Sequence, residues 1–555
     1  MTRTSRIRCI HFVEFNAKLN TLAVVKVFPK YGTPLLATIL RDRGYAVRVF
    51  LDGLSSMRFE TLADCDLVCL PVFAPAYNKV RDFVRRLRAE RPGLPVVAGG
   101  PHAILHPETV VPLCDYVVRC EGDEALPELV DCLAAGEDPS GIAGLAYERG
   151  GRPVLTADRP PPVIPGTIPD MTLIEGFGAV ASRPDRRRTI QNTLQTSRGC
   201  SYRCRFCPTP KLFGGQFRNR DIDSVVAEIR SKLRYNELFF VVDNNFFGDR
   251  ERAVALLRRL EVEDLGASFI VFARQEIGHD AELLSLMKRA GVRCLIIGVE
   301  SLVDDNLAAF DKQQRSRDVV RSIEHVKAAG IHVIATFAFG YAGDTPARAH
   351  ELVRFIRAHD LALNVFILHD TETDETKRLL IPLSQRFATH YQQADPTNTD
   401  HYDYATGNFV TYFPTHMKPS TLQRTFVGIY RDLYTDRHIL RSVLARDSFE
   451  SAFGITHGYA IQRLNRGVAR VVEGGYLDHL HRLERGLYDE AERLQLDRLA
   501  LVTGLPSPPP LQEQVDLGPQ GPLSELALLP SVARLALDKA RWEVGRRVRR
   551  QLALH

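Results

Sequence analysis

Three cysteines, Cys200, Cys204 and Cys207, stand close together in the run Cys-Ser-Tyr-Arg-Cys-Arg-Phe-Cys. Three thiolates on one tight loop suit three irons of a [4Fe–4S] cluster, whose fourth iron then stays open to a substrate. Gly199, just before the first cysteine, lets the backbone turn sharply. Two other readings compete. A closed zinc site needs a fourth Cys or His, and the nearest in sequence, Cys132 and His279, are far away. A disulfide would leave one thiol over. The ligand count favours the open cluster.

A loop of this kind needs a scaffold, and the surrounding residues alternate between strand and helix patterns. Strands are expected at 190–196, 237–243, 268–273, 293–298, 331–339 and 361–368, with helices at 222–233, 280–289, 317–329 and 346–359. Six such units are too few for a closed eight-stranded barrel. In barrels of this type the reactive groups lie at the carboxyl ends of the strands. Polar residues stand at those ends: Asp243-Asn244-Asn245, Arg274-Gln275-Glu276, Glu300-Ser301 and the run from Gly340 to Thr345. Capping of the following helices is the alternative role for the Asp, Asn and Ser residues among them. After the last strand, His369 to Thr376 carries four carboxylates, which read as a solvated acidic loop ahead of a metal site.

The C-x3-C-x2-C spacing, with Phe206 before the last cysteine, resembles the signature of the radical S-adenosylmethionine (SAM) superfamily. The resemblance implies that Cys200, Cys204 and Cys207 bind the cluster and that SAM chelates the open iron. One-electron reduction then yields a 5′-deoxyadenosyl radical. It further implies an open (β/α)6 partial barrel, with Phe206, Asp243, Asn245, Arg274, Glu300 and Ser301 as SAM contacts. Ala290-Gly291 through Gly298-Val299-Glu300-Ser301 is similar to the superfamily's A-G … G-x-E-S pattern.

The first 150 residues show the same alternation. Strands are expected at 7–13, 46–51, 66–71, 95–98 and 116–119, with helices at 34–43 and 77–91, which predicts a parallel, doubly wound sheet. Two strand ends, Gly99-Gly100-Pro101-His102 and Cys120-Glu121-Gly122-Asp123-Glu124, resemble turns of the cobalamin-binding domain that precedes many radical SAM domains. The resemblance implies cobalamin contacts at Gly99, Gly100, Pro101, His102, Glu121 and Gly122. Cys120 replaces the usual Gly. The D-x-H-x-x-G motif that supplies a cobalt-ligating His elsewhere is absent.

The fold class is therefore α/β, with a Rossmann-like cobalamin-binding domain at 1–148, a Pro- and Gly-rich linker at 149–189 and a radical SAM partial barrel at 190–385. A mainly helical C-terminal domain at 386–555 follows. Within it, Gly407 to Pro414 is similar to an extension found in some cobalamin-type radical SAM proteins, lipid (hopanoid) methylases among them. Helical patterns cover 419–435, 440–453, 463–472, 476–494 and 523–554, with a proline-rich break at 504–510. The basic stretch 541–550 reads as a solvated helix ahead of a membrane contact.

Composition sets outer bounds. The 555 residues carry 72 basic and 67 acidic side chains, a net charge of +5, which does not argue for nucleic acid. Apolar residues make up 45% of the chain, yet no run reaches the roughly 20 that a membrane span needs. Ten cysteines without a regular framework are expected as reduced thiols, which points to the cytoplasm. The resemblance implies a radical SAM enzyme with [4Fe–4S], SAM and cobalamin as cofactors, and an electron donor such as flavodoxin or ferredoxin. Methylation of an unactivated carbon in a lipid or other small-molecule substrate is the leading expectation. A cobalamin-independent rearrangement, cyclisation or C–C coupling is the alternative, and a non-catalytic Fe–S sensor stands behind both.

Overall fold

The computed structural model describes residues 7–17, 30–55, 62, 64–184, 190–368, 400–412, 414, 417–435 and 448–487. The acidic run 369–376, the proline-rich break, the last expected helix and the basic stretch 541–550 lie outside the described residues.

The first sheet has seven strands: β1 (Cys9–Glu14), β2 (Ala46–Leu51), β3 (Leu67–Pro71), β4 (Val96–Gly99), β5 (Tyr116–Val118), β6 (Leu145–Arg149) and β7 (Arg152–Leu155). Their order is β2-β1-β3-β4-β5-β6-β7, parallel through β5 and antiparallel beyond it. Alternate side chains feed two cores. Ile10, Phe12, Leu67 and Cys69 pack on one face, while Val13, Val68, Leu70 and Val96 pack on the other. The strand order reverses between β1 and β3, and in open sheets of this kind ligands bind outside the carboxyl ends at such a switch.

The residues expected to form a linker from 149 onward are largely part of this first unit. The sheet runs on to Leu155, and Met171, Ile174 and Phe177 are buried in its core. Ile174 also bridges to Val49 of β2. The Pro and Gly content hid three apolar side chains at helical-turn spacing, and burial of those side chains decides where the segment lies.

The second sheet has β8 (Asn192–Leu194), then, after a two-stranded ribbon of β9 (Ser197–Arg198) and β10 (Arg218–Asn219), strands β11 (Leu238–Val241), β12 (Ser268–Arg274), β13 (Val292–Glu300), β14 (His332–Phe339) and β15 (Ala362–Ile367). Its six strands are all parallel and stand side by side in chain order. Five helices pack outside it: Ile222–Lys232, Arg250–Glu263, Ala281–Arg289, Ser316–Ala328 and Pro346–Ala358. The second of these has no counterpart among the expected helices. Asp249 caps it, accepting from the Arg252 amide, and Ala253, Leu256, Leu257 and Leu260 face the sheet. Ile270, Cys294, Ile296 and Ile334 form a separate apolar layer on the inner, concave face.

An open barrel leaves an edge strand with unpaired backbone groups. Here the helix Pro419–Leu433 and the residue after it seal β15. The Tyr430 hydroxyl accepts from the Val365 amide and donates to the Val365 carbonyl, both at 2.8 Å. Tyr434 does the same for Leu363, at 2.7 and 2.9 Å. One helical turn thus matches two residues of strand. Helices Ser448–Val471 and Leu477–Leu487 complete the described C-terminal region. Tyr412, fully buried, donates to the Gly340 carbonyl at 2.8 Å and fastens this region to the end of β14.

Candidate functional site

The cysteine loop hangs between the two strands of the β9–β10 ribbon. Gly199 takes a left-handed φ of +84°, and a Cβ there would lie 1.9 Å from the Gln216 carbonyl oxygen. Only glycine allows the outgoing and returning chains to meet this closely. The loop is pinned elsewhere too. The Arg205 amide donates to the Phe310 carbonyl at 3.0 Å, and the Ser201 hydroxyl to the Gly248 carbonyl at 2.9 Å. Asp243, at the end of β11, accepts from the Thr196 amide (2.7 Å), the Thr196 hydroxyl (2.6 Å) and the Ser197 hydroxyl (2.7 Å). Both its oxygens are spent on the approach to Cys200, and burial raises its carboxyl above the ordinary range against those bonds.

Cys204 is buried, and Cys200 and Cys207 are half-buried. Among the described residues no three His, Cys, Asp or Glu side chains converge as one bound ion would require. Three thiolates on one short loop suit three irons of a cluster. Burial raises the Cys204 thiol, and Lys312 and Arg274 pull it down. Burial also raises Cys207, offset by hydrogen bonds with Thr209. Cationic neighbours of this kind favour the thiolate that iron needs.

Arg274, at the end of β12, lies over the loop. Its guanidinium carbon is 3.6 Å from the centre of the Tyr202 ring, and its Nη1 is 3.8 Å from Cys204 Sγ. It also donates to Glu276 and to the Lys312 carbonyl. Glu300 sits where the β13–β14 register shifts, with a left-handed φ of +68°. A non-glycine residue held in this region stores strain, a frequent mark of a functional site. Its carboxylate accepts from Lys312 Nζ at 3.0 Å. Phe206 meets Phe310 edge-on at 5.1 Å, and Phe310 meets Tyr341 at 5.0 Å. Ser301 and Asn245 are engaged locally. Ser301 Oγ accepts from the Val303 amide and Asn306, and Asn245 Oδ1 accepts from the Phe247 amide. Phe206, Arg274 and Glu300 therefore gather at the cysteine loop, whereas Asp243, Asn245 and Ser301 serve the chain.

Four buried polar groups stand here; Gln275 and Tyr341 are marked in the sequence by their place at strand ends, whereas Lys312 and Gln314 are not. Lys312 carries no motif, and its neighbours Asp311 and Gln313 take left-handed φ values that nothing local announces. Gln275 Oε1, both amide atoms of Gln314 and Tyr341 Oη are buried without a hydrogen-bond partner among the described residues. Groups left this way are costly unless something else satisfies them, and a bound polar ligand is one solution.

The ends of the first sheet look different. Gly100 has φ +91°, and a Cβ there would lie 3.1 Å from the Val72 backbone, so the glycine serves close packing of the turn. With Gly99 before it and Pro101 after it, the chain enters the helix Pro101–Leu105, which lies against Thr209–Leu212 just beyond Cys207. The His102 ring is enclosed by Tyr77, His106 and Tyr402, with Nε2 3.0 Å from Thr109 Oγ1. It is thus engaged within the fold. Gly122 opens the helix Gly122–Ala135 beside Leu36. The Glu121 carboxylate accepts from Arg198 (2.8 Å) and from Arg218. The strand ends and their close-packed glycine turn suit a large planar ligand resting on backbone.

Residues 194–356 match the family model described as Radical SAM superfamily, and residues 17–130 match that of the B12 binding domain. An uncharacterized methyltransferase from Pyrococcus horikoshii is 24% identical over 80% of this chain and 94% of its own length. The hopanoid C-2 methylase of Rhodopseudomonas palustris is 24% identical over 80% of this chain and 85% of its own. The cobalamin- and [4Fe–4S]-bound structure of the radical SAM methyltransferase TsrM from Kitasatospora setae shares the fold. Its TM-score is 0.59 at 20% identity, covering 83% of this chain and all of that one. A B12 binding domain match at residues 17–130 stands ahead of a radical SAM match at residues 194–356, whose parallel half-barrel presents a cysteine triad beside Arg274 and Glu300, and this pairing makes the chain a radical SAM enzyme that carries a B12 binding domain.

Proposed function

We propose that this enzyme methylates an unactivated carbon of a lipid or natural-product substrate, and that it does so in the cytoplasm with electrons from a small carrier such as flavodoxin or ferredoxin. The observation that carries the reading is the meeting of two strand-end sites, where the turn Gly99–His102 and its helix face the end of the cysteine loop at Thr209–Leu212. When bound, the cluster and cobalamin supply one-electron cleavage of SAM and carriage of a methyl group. Cys200, Cys204 and Cys207 would hold the cluster. Arg274 and Lys312 would place positive charge beside it, and Glu300, whose carboxylate Lys312 holds, would help to bind SAM. Phe206 and Phe310 shield that face from water. The inner wall of the barrel supports an apolar substrate: Phe240 and Phe272 pack edge to face at 5.6 Å against the Ile270, Cys294, Ile296 and Ile334 layer, and Phe366 is 48% exposed.

The test uses full-length protein purified without oxygen, reconstituted with iron and sulfide, loaded with hydroxocobalamin and desalted. Iron and cobalamin are counted per chain, and SAM is added with a low-potential reductant. S-Adenosylhomocysteine is expected only from cobalamin-loaded protein, and 5′-deoxyadenosine only with the cysteine triad intact. Deoxyadenosine without S-adenosylhomocysteine from loaded protein would overturn methyl transfer in favour of a rearrangement or coupling.

A further inference from the structure

The cysteine loop is gripped by the first domain at both of its ends. After Cys207, Thr209–Leu212 rests on the helix Pro101–Leu105. Before Cys200, the grip is an ion network. Arg198, two residues upstream, sends Nη1 and Nη2 to the two oxygens of Asp123 at 2.6 and 2.9 Å. Its Nη1 also reaches Glu121 at 2.8 Å, and its Nε donates to Gln195 Oε1 at 2.8 Å. Arg218, the register partner of Arg198 across the ribbon, takes the other oxygen of Glu121 and also donates to the Pro162 carbonyl. One carboxylate thus clasps both strands of the ribbon.

Two features set this network apart from a surface ion pair. Arg198 is 6% exposed and Glu121 and Asp123 are each 7% exposed, so water competes little for these bonds. Two arginines face two carboxylates, so the network is neutral without any bound ligand. Two residues on from Arg218, the fully buried Arg220 donates to Tyr31 of the first domain at 2.8 Å and pairs with Glu228. The ribbon therefore touches the first domain at successive points, and the cysteine loop is its tip.

We propose that the fork of Arg198 on Asp123 and Glu121 fixes the spacing between the first sheet's strand ends and the cysteine loop, making Arg198 a positioning residue between the two cofactor sites. A planar, bidentate guanidinium suits this task because it fixes angle as well as distance. Glu121, which the family resemblance marks for cobalamin, thereby acts on the cluster loop. The functional arm rests on the methyl-transfer reading above, and the geometric arm does not.

The test compares wild type, Arg198→Gln and Arg198→Lys as full-length protein loaded with cluster and cobalamin. Pulsed electron paramagnetic resonance reads the distance between the reduced cluster and cob(II)alamin. Wild type should give one narrow distribution, and both variants a broadened one, at unchanged iron and cobalamin content. The ratio of S-adenosylhomocysteine to 5′-deoxyadenosine should fall by up to about 100-fold in Arg198→Gln, with the deoxyadenosine rate kept. In cofactor-free protein, amide hydrogen exchange at 118–124 and 194–200 should rise together in the variants. If Arg198→Gln fails to fold, Arg198→Lys decides, since it keeps the charge and loses the fork. Wild-type distance distributions or, where cobalamin is not retained, wild-type exchange in Arg198→Lys would overturn the proposal. A wild-type enzyme that makes no S-adenosylhomocysteine would sink the methyl-transfer reading alone, because the distance and exchange measurements still decide the role of Arg198.

Discussion

The chain leaves β4 at Gly99-Gly100 and β5 at Cys120-Glu121. In the barrel it leaves β12 at Arg274 and β13 at Glu300. Both pairs of ends belong to parallel sheets, where ligands are expected. Their side chains are used differently. Arg274 and Glu300 converge with Lys312 on the cysteine loop, and Gln275 and Gln314, close to Arg274 and Lys312 in the chain, carry buried polar atoms without a partner among the described residues. In the first sheet, Glu121 is spent on two arginines of the barrel, and His102 is enclosed by aromatic rings. On the proposed function, one set of strand ends receives polar groups of a ligand. The other offers backbone and shape to a ligand while its charges hold the barrel in place. A strand end marks where a residue stands, and its partner decides what it does.

The strongest way to break this contrast is Cys204→Ala. Iron retention and 5′-deoxyadenosine formation should be lost, because two thiolates cannot hold the cluster. Cobalamin retention should persist, since no cysteine of the triad lies in the first sheet. Loss of both cofactors together would erase the division of labour.

A second, smaller effect concerns Asp344, just beyond β14. It accepts from the Gly340 and Tyr341 amides and from Asn306, yet burial pushes its carboxyl up to about 7. The folded state holds this proton more tightly than the unfolded chain, where the group titrates near 4. Its contribution is fully present below about pH 4 and is lost as pH rises to about 7, worth up to about 4 kcal/mol. Urea midpoints of wild type should therefore decline over this range relative to Asp344→Asn. A difference that does not vary with pH would show that the carboxyl is not held protonated.

The smallest effect sharpens the contrast. Glu121→Gln should lower stability by about 2 kcal/mol through lost charge-assisted bonds, as read by urea unfolding, and leave cobalamin affinity within about threefold, less than 1 kcal/mol. A tenfold or greater loss of affinity would show that this carboxylate reaches the corrin.

Much of the scaffold was legible. The strands at 46–51 and 67–71, and each of the six barrel strands, follow runs of β-branched and aromatic residues between turn signals. The helix Arg250–Glu263 was not singled out, although Asp249 and the spacing of Leu256, Leu257 and Leu260 mark it, because basic residues interrupt the pattern. The ribbon strands β9 and β10 are two residues each, too short for any periodicity to register. Met171, Ile174 and Phe177 went unread because prolines and glycines around them suggested a connector.

The sequence by itself determined the cysteine triad, the order of the main strands and most helices, and the polar residues at strand ends, since these rest on local spacing and periodicity. Only the tertiary structure decided partners. Arg198 and Glu121 lie 77 residues apart, and each is a charged side chain equally at home in water. Lys312 reaches Glu300 through a turn of left-handed residues. Tyr430 and Tyr434 read locally as one face of a helix, and become a seal for a barrel edge only when β15 is brought beside them. A short-range pattern fixes which face a residue occupies, while its bonding is fixed by the element packed against that face.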